Sequence, residues 1–177
     1  MSALQLRHAT PADAPAIVDL IMRNRERWHL LPREVGEVSR RAPRFLVVTD
    51  HGRIVACAEL VPLSRAVAEI RSLVVDEASR GRGLGTALVA ALFRRARLDG
   101  HERLCAFAHD PTPFLRLGFS IVPHGWLPEK IAADCRRCPL FGSCGQYPLV
   151  LSLKRQTLPR PAVSVPFERP AALAATA

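Results

Sequence analysis

Apolar and polar positions fall in blocks along the chain, and the spacing within the blocks switches between that of strands and that of helices. LQLRHA (4–9) has the alternation of a short strand. It runs into Thr10-Pro11-Ala12-Asp13, which supplies an N-cap hydroxyl, a proline at the first helical position and an acid in the first turn. A helix over 11–24 follows, with Ala14, Ile17, Val18 and Ile21 on one face. RWHLLPREVGEVSRR (27–41) predicts a loop and a short helix. RFLVVTD and IVACAELVPL form a hairpin turning near Asp50–Arg53. AVAEIRSLVV (66–75) is a strand buried over much of its length. TALVAALFRRARLDG (86–100) is an amphipathic helix with Leu88, Leu92 and Ala96 on one side and Gly100 as C-cap. ERLCAFAH (102–109) is another strand. PTPFLRL forms a short helix that leads through Gly118 to the strand FSIVP. Residues 126–146 read as a short helix plus loop, and YPLVLSLK (147–154) is the last strand. The order β-α-α-β-β-β-α-β-α-β-β predicts an α+β domain around one mixed sheet.

Length and charge narrow the picture. A chain of 177 residues fits one domain with a core of its own, assigned here to 1–154. The proline- and alanine-rich stretch 155–177 is expected to be a disordered tail outside it. No run reaches the roughly 18 uncharged apolar residues of a membrane span. The N-terminus shows no basic segment followed by an apolar one, so a cytoplasmic protein with no membrane partner is expected. The net charge is +9, carried by 23 Arg and only Lys130 and Lys154. Such a balance draws anions of every kind. The charges are scattered and aromatics make up 6% of the chain, which argues against a nucleic-acid platform.

Arg80-Gly81-Arg82-Gly83-Leu84-Gly85 stands between the apolar strand IRSLVV and a helix. Glycines alone suit either an ordinary turn or a loop whose backbone approaches a ligand closely. The N–H groups of 82–86 open the following helix, where unpaired donors and the dipole favour phosphate. The Gly-Lys-Ser/Thr of a nucleotide-binding P-loop is absent, and the glycine spacing is wrong for a dinucleotide-binding fold. As a whole, IRSLVVDEASRGRGLGTALV resembles the acetyl-CoA motif of the GCN5-related N-acetyltransferases (GNAT). PFLRLGF (113–119) resembles the family's aromatic-x-x-x-Gly-Phe segment. The resemblance implies a GNAT fold: a mixed, mostly antiparallel sheet of six or seven strands, splayed between the fourth and fifth, with about four helices. It implies acetyl-CoA as cosubstrate and no metal. Leu73, Val74 and Val75 would offer backbone groups to the pantetheine arm. The amides of Arg80, Gly81, Arg82, Gly83, Leu84, Gly85 and Thr86 would hold the pyrophosphate.

A narrower resemblance spans about 4–153. RWHLLPRE (27–34), EIRSLVV (69–75) and LPEKIAADCRRCPLFGSC (127–144) resemble segments of the short, single-domain bacterial N-acetylglutamate synthases. This implies transfer of acetyl to the α-amino group of L-glutamate, the opening step of arginine biosynthesis. By the same resemblance Arg33, Arg71 and Lys130 would bind the substrate carboxylates, and arginine's guanidinium fork suits that role. Arg33 and Lys130 are each also readable as a plain charge.

An α-ammonium must lose a proton before it attacks. Glu69 is the candidate base, and strand alternation puts it on one face with Arg71, so an internal Glu69–Arg71 ion pair is the competing reading. The backbone N–H near Leu73 would polarise the thioester carbonyl. Phe114 stands where many family members carry a proton-donating tyrosine, which leaves His109 or water to serve the departing thiolate. Cys105, inside LCAFA, reads as a core residue rather than a nucleophile. Cys135, Cys138 and Cys144 are open to three readings: packed thiols, a redox pair, or half of a zinc site with His124 or Asp134. The remaining alternatives are an acetyltransferase for another small amine or peptide N-terminus, and a non-catalytic CoA-binding sensor. A homodimer is compatible with all of them.

Overall fold

The computed structural model describes residues 4–28, 30–154, 158 and 163–168. Seven strands build one sheet: β1 (Gln5–His8), β2 (Phe45–Asp50), β3 (Arg53–Pro62), β4 (Val67–Val75), β5 (Arg103–Ala108), β6 (Ser120–Ile121) and β7 (Tyr147–Ser152). Their order is β1-β2-β3-β4-β5-β7-β6. Every neighbouring pair is antiparallel except β4 and β5, which run parallel. The α-helices are α1 (Ala14–Arg23), α2 (Arg25–Trp28), α3 (Val35–Arg41), α4 (Leu84–Leu98), α5 (Thr112–Leu115) and α6 (Pro128–Ala133). The GNAT architecture expected from the sequence is the one observed, with four helices of six residues or more.

Two apolar layers cover the sheet, and β2 shows how they are separated. Phe45 and Val47 face α1 and α3, joining Ile17, Leu20, Ile21 and Val38. Leu46 and Val48 face the other way, joining Leu84, Leu88, Leu92 and Ala96 of α4. A strand covered on both faces has to be apolar at every position, which is why FLVV reads as a continuous run. Each fully buried leucine contributes about 1.5–3 kcal/mol, and α4 supplies three with no accessible surface or close to none. The helix that begins at the glycine loop is therefore fixed by its own packing.

The N-terminal turn also forms as its residues suggest. A 3₁₀ turn over Pro11–Asp13 precedes α1. Asp13 accepts from the Thr10 N–H at 2.7 Å and from both terminal nitrogens of Arg7 at 2.8 and 2.9 Å. The Arg7 hydrogen bonds, outweighing partial burial, hold its carboxyl at about 2.

Within 155–177, the described residues 158 and 163–168 touch the domain. The Leu6 N–H donates to the Pro166 carbonyl at 2.8 Å, and the Glu168 N–H donates to the Leu6 carbonyl at 2.8 Å. Leu158 and Val165 pack on the α4 layer, and Phe167 meets His8 edge-on with ring centroids 5.5 Å apart. Apolar Val163, Val165 and Phe167 alternate at the spacing of a strand, and the outer edge of β1 offers unpaired backbone groups to such a segment. Among the described residues, no helix is long and apolar enough to cross a membrane.

Candidate functional site

The site begins where β4 and β5 part. Their parallel ladder runs from Val67↔Arg103 to Ile70↔Ala106 and stops. On its other edge β4 stays with β3, but its register jumps: Arg71 opposes Glu59, while Val74 opposes Cys57. Ser72 and Leu73 thus sit together opposite Ala58, a bulge, and Ser72 has φ of +48°. A serine in the left-handed region costs energy that the flanking ladder has to supply. The bulge turns the backbone beside Leu73 toward the gap, which opens into a cleft of about 770 Å³.

At one end of the cleft lies the glycine loop. A 3₁₀ turn over Glu77–Ser79 leads to Gly81 and Gly83, with φ of +74° and +72°, and α4 starts at Leu84 with Gly83 as its N-cap. An L side chain is strained at both glycines. The first amides of α4 therefore face an open loop and offer donors to an anion. The two arginines are engaged elsewhere. Arg80 donates to the Asn24 side-chain oxygen at 2.7 Å and to the Val75 carbonyl at 3.2 Å, tying the loop to the end of α1. Arg82 donates to Asp50 at 2.8 Å. Leu73, Val74, Val75, Arg80, Gly81, Gly83, Leu84, Gly85 and Thr86 line the cleft, as the sequence placed them; Arg82 is turned away from it.

At the other end four charges meet. Glu69, 2% exposed, accepts from Arg71 Nε at 2.6 Å and from Lys130 Nζ at 2.7 and 3.0 Å. Lys130 also donates to Asp134 at 2.9 Å and sits 5.2 Å from the centre of the Phe107 ring. Arg71 donates to the same Asp134 oxygen. Burial pushes the Asp134 carboxyl up, but Lys130 and Arg71 outweigh it and hold it below its ordinary range. The internal Glu69–Arg71 pair that the sequence left open is present, and α6 adds Lys130 and Asp134 to it. Glu59 and Asp134 are the members of the site that spacing did not reveal. One charged residue inside the apolar run RIVACAELVP was the available signal for Glu59.

Arg33 lines the same end of the cleft. Its Nη2 donates to Glu59 Oε2 at 2.9 Å and its Nη1 to Ser72 Oγ at 3.2 Å, while Glu37 lies 3.2 Å away. Glu59 is fully buried on β3, and a lone carboxylate there would be costly, so Arg33 is its partner as well as a wall of the cleft. The Nε of Arg33 is buried without a hydrogen-bond partner.

The other chemical candidates fall into place around this. Phe114 is buried edge-on against Phe119, and His109 lines the cleft beside it. Cys105 is fully buried, and burial together with the Glu69 charge raises its thiol above the ordinary value, which disfavours a thiolate nucleophile. Cys57 donates to the Ser72 carbonyl at 3.5 Å, and burial pushes its thiol up to about 12. Among the described residues, no three His, Cys, Asp or Glu side chains are grouped to hold a metal. Cys135, Cys138 and Cys144 are half-buried free thiols.

Residues 12–119 match the family model described as Acetyltransferase (GNAT) family. The chain belongs to this family. Among curated relatives, an uncharacterised N-acetyltransferase of Chlorobaculum tepidum is 28% identical over 148 residues, covering 84% of this chain and 96% of the relative. An amino-acid acetyltransferase of Mycobacterium tuberculosis is 30% identical over 65% of this chain and 67% of its own. One of Ralstonia nicotianae is 34% identical over 70% of this chain but only 28% of its own. The chain thus spans nearly all of the first relative and under a third of the long amino-acid acetyltransferases. Among solved structures, N-acetylglutamate synthase of Neisseria gonorrhoeae, complexed with coenzyme A and N-acetyl-glutamate, superposes with a TM-score of 0.76 at 28% identity. The match covers 86% of this GNAT chain and 35% of that one.

Proposed function

We propose that this GNAT chain transfers the acetyl group of acetyl-CoA to the α-amino group of L-glutamate. Acetyl transfer to nitrogen is the family's chemistry. The glutamate assignment is supported above all by the convergence of Arg33, Arg71 and Lys130 at one end of the cleft, opposite the glycine loop. Glutamate carries two carboxylates, and three cations stand there that already hold carboxylates of the protein itself. The relatives named amino-acid acetyltransferase, and the gonococcal synthase bound to N-acetyl-glutamate, point the same way.

In this reading the amides of 80–86 hold the pyrophosphate of acetyl-CoA, and Leu73–Val75 run beside its pantetheine arm. The thioester then lies next to the bulge, where the Leu73 N–H donates to its carbonyl oxygen. Glutamate enters at the charged end. Arg71 and Lys130 turn to a substrate carboxylate, and the partnerless Nε of Arg33 offers a further donor. Glu69 then shares its cations with the substrate and accepts a proton from the substrate ammonium, directly or through water. The amine lone pair forms a C–N bond to the thioester carbon, giving a tetrahedral intermediate whose oxyanion Leu73 N–H stabilises. Collapse breaks the C–S bond, and the thiolate takes a proton from water or His109. No covalent enzyme species is required, in keeping with the buried Cys105.

Thiol release from acetyl-CoA, measured against a panel of amino acids, tests the reading. Glutamate is expected to give the highest kcat/KM. Equal turnover of unrelated amines would leave an N-acetyltransferase with a different acceptor. CoA binding with no turnover of any amine would leave a sensor.

A further inference from the structure

We propose that Asp134 is a resident stand-in for an acceptor carboxylate, and that it sets the site's selectivity by competing with the acceptor for Arg71 and Lys130. The inference rests on the glutamate reading above and goes beyond it by naming what the acceptor must displace. A single oxygen, Asp134 Oδ2, accepts from Lys130 Nζ at 2.9 Å and from Arg71 Nη2. One carboxylate oxygen shared between a guanidinium and an ammonium is the arrangement a bound substrate carboxylate would take. Two anions share these cations, and they are held differently. The Glu69 side chain is 3% exposed, projects from the middle of β4 and takes three charged hydrogen bonds. The Asp134 side chain is 40% exposed and follows directly on α6, a helix of only six residues. Of the two, Asp134 can leave without exposing a buried charge.

The charge balance supports the exchange. Glu69, Arg71, Lys130 and Asp134 together are neutral, so the cluster as it stands has no net attraction for an anion. With Asp134 swung aside the cluster carries one positive charge, which a carboxylate neutralises and a carboxyl-free amine does not. Asp134 thus makes carboxylate binding an exchange rather than a simple addition. Ligands that bring no carboxylate leave the closed arrangement in place, with Glu69 still held by its cations.

The test compares the parent enzyme with Asp134→Asn and Asp134→Glu. Asp134→Asn removes the competing charge and is expected to lower the glutamate KM about fivefold. The inhibition constant of glutarate, a dicarboxylate with no amine, should fall in parallel, while the acetyl-CoA KM stays fixed. Asp134→Glu keeps the charge and should stay within about twofold of the parent. An unchanged or raised glutamate KM in Asp134→Asn overturns the proposal, as does an equal fall in Asp134→Glu. Glutarate titrated calorimetrically into the same proteins separates this outcome from failure of the glutamate reading. If the parent acetylates no amino acid, tighter glutarate binding by Asp134→Asn still upholds the stand-in, and unchanged binding overturns it.

Discussion

The two ends of the cleft are made of different materials. The loop end is backbone: glycines with positive φ, the first amides of α4, and a β4 edge that β5 has left unpaired. Its two arginines are occupied with Asn24, Val75 and Asp50. The charged end is side chains drawn from three separate places: Arg33 before α3, Glu69 and Arg71 on β4, and Lys130 and Asp134 at α6. In the proposed reading the backbone cradle would recognise what every acetyl-CoA shares and tolerate side-chain change. The interlocked charges would select one class of acceptor, and each member holds its neighbours in place.

This contrast can be broken by substitution. Glu69→Gln removes the proposed base and is expected to lower kcat about 100-fold or more, with the acetyl-CoA KM unchanged. A matching rise in that KM would mean that the two ends are not separate. Gly83→Val forces a β-branched residue into the left-handed region at the N-cap. It should raise the acetyl-CoA KM about 30-fold, the scale of about 2 kcal/mol, and leave the glutamate KM alone. Steady-state kinetics with each substrate varied in turn reads both outcomes.

Arg33→Ala has two predicted consequences that a second substitution separates. The glutamate KM should rise about tenfold. Because buried Glu59 then loses its hydrogen-bonded partner and keeps Arg41, 3.8 Å away, stability in urea should fall by about 3 kcal/mol. Arg33→Ala combined with Glu59→Gln should recover most of the stability and none of the glutamate affinity. Recovery of both would make Arg33 purely structural. The smallest effect belongs to Arg82→Ala. If the backbone holds the pyrophosphate, the acetyl-CoA KM should move by less than about twofold. A tenfold rise would put side-chain charge back into the loop.

Legibility in the sequence followed the same division. Arg80–Thr86 lies in one uninterrupted segment with its strand before it and its helix after it, so the turn was legible locally, while its role as a phosphate cradle came from the resemblance. Glu69 and Arg71 were readable as neighbours on one strand face, because alternation is a local rule. That Lys130 completes their pairing was not, since it stands 61 positions from Glu69, and only the path of the chain from β5 to β7 brings α6 over the cleft. Arg33 was assigned through the resemblance of RWHLLPRE, but Glu59, its partner across 26 residues, went unseen among apolar neighbours. Of the C-terminal stretch that composition reads as a tail, the described residues touch the domain: Phe167 bridges Leu6 of β1, and Val163 lies against Gly83.

By itself the sequence determined the periodicities, hence the elements and their layers, and the glycine loop that opens α4. These depend on residues adjacent in the chain, where steric limits on φ and the spacing of apolar positions act directly. Tertiary structure alone decided which charges meet, which carboxylates are buried, and which cations are already satisfied. Ion pairing in a partly dry cleft depends on distance and on exclusion of water, and neither is set until the sheet has brought its separate segments together.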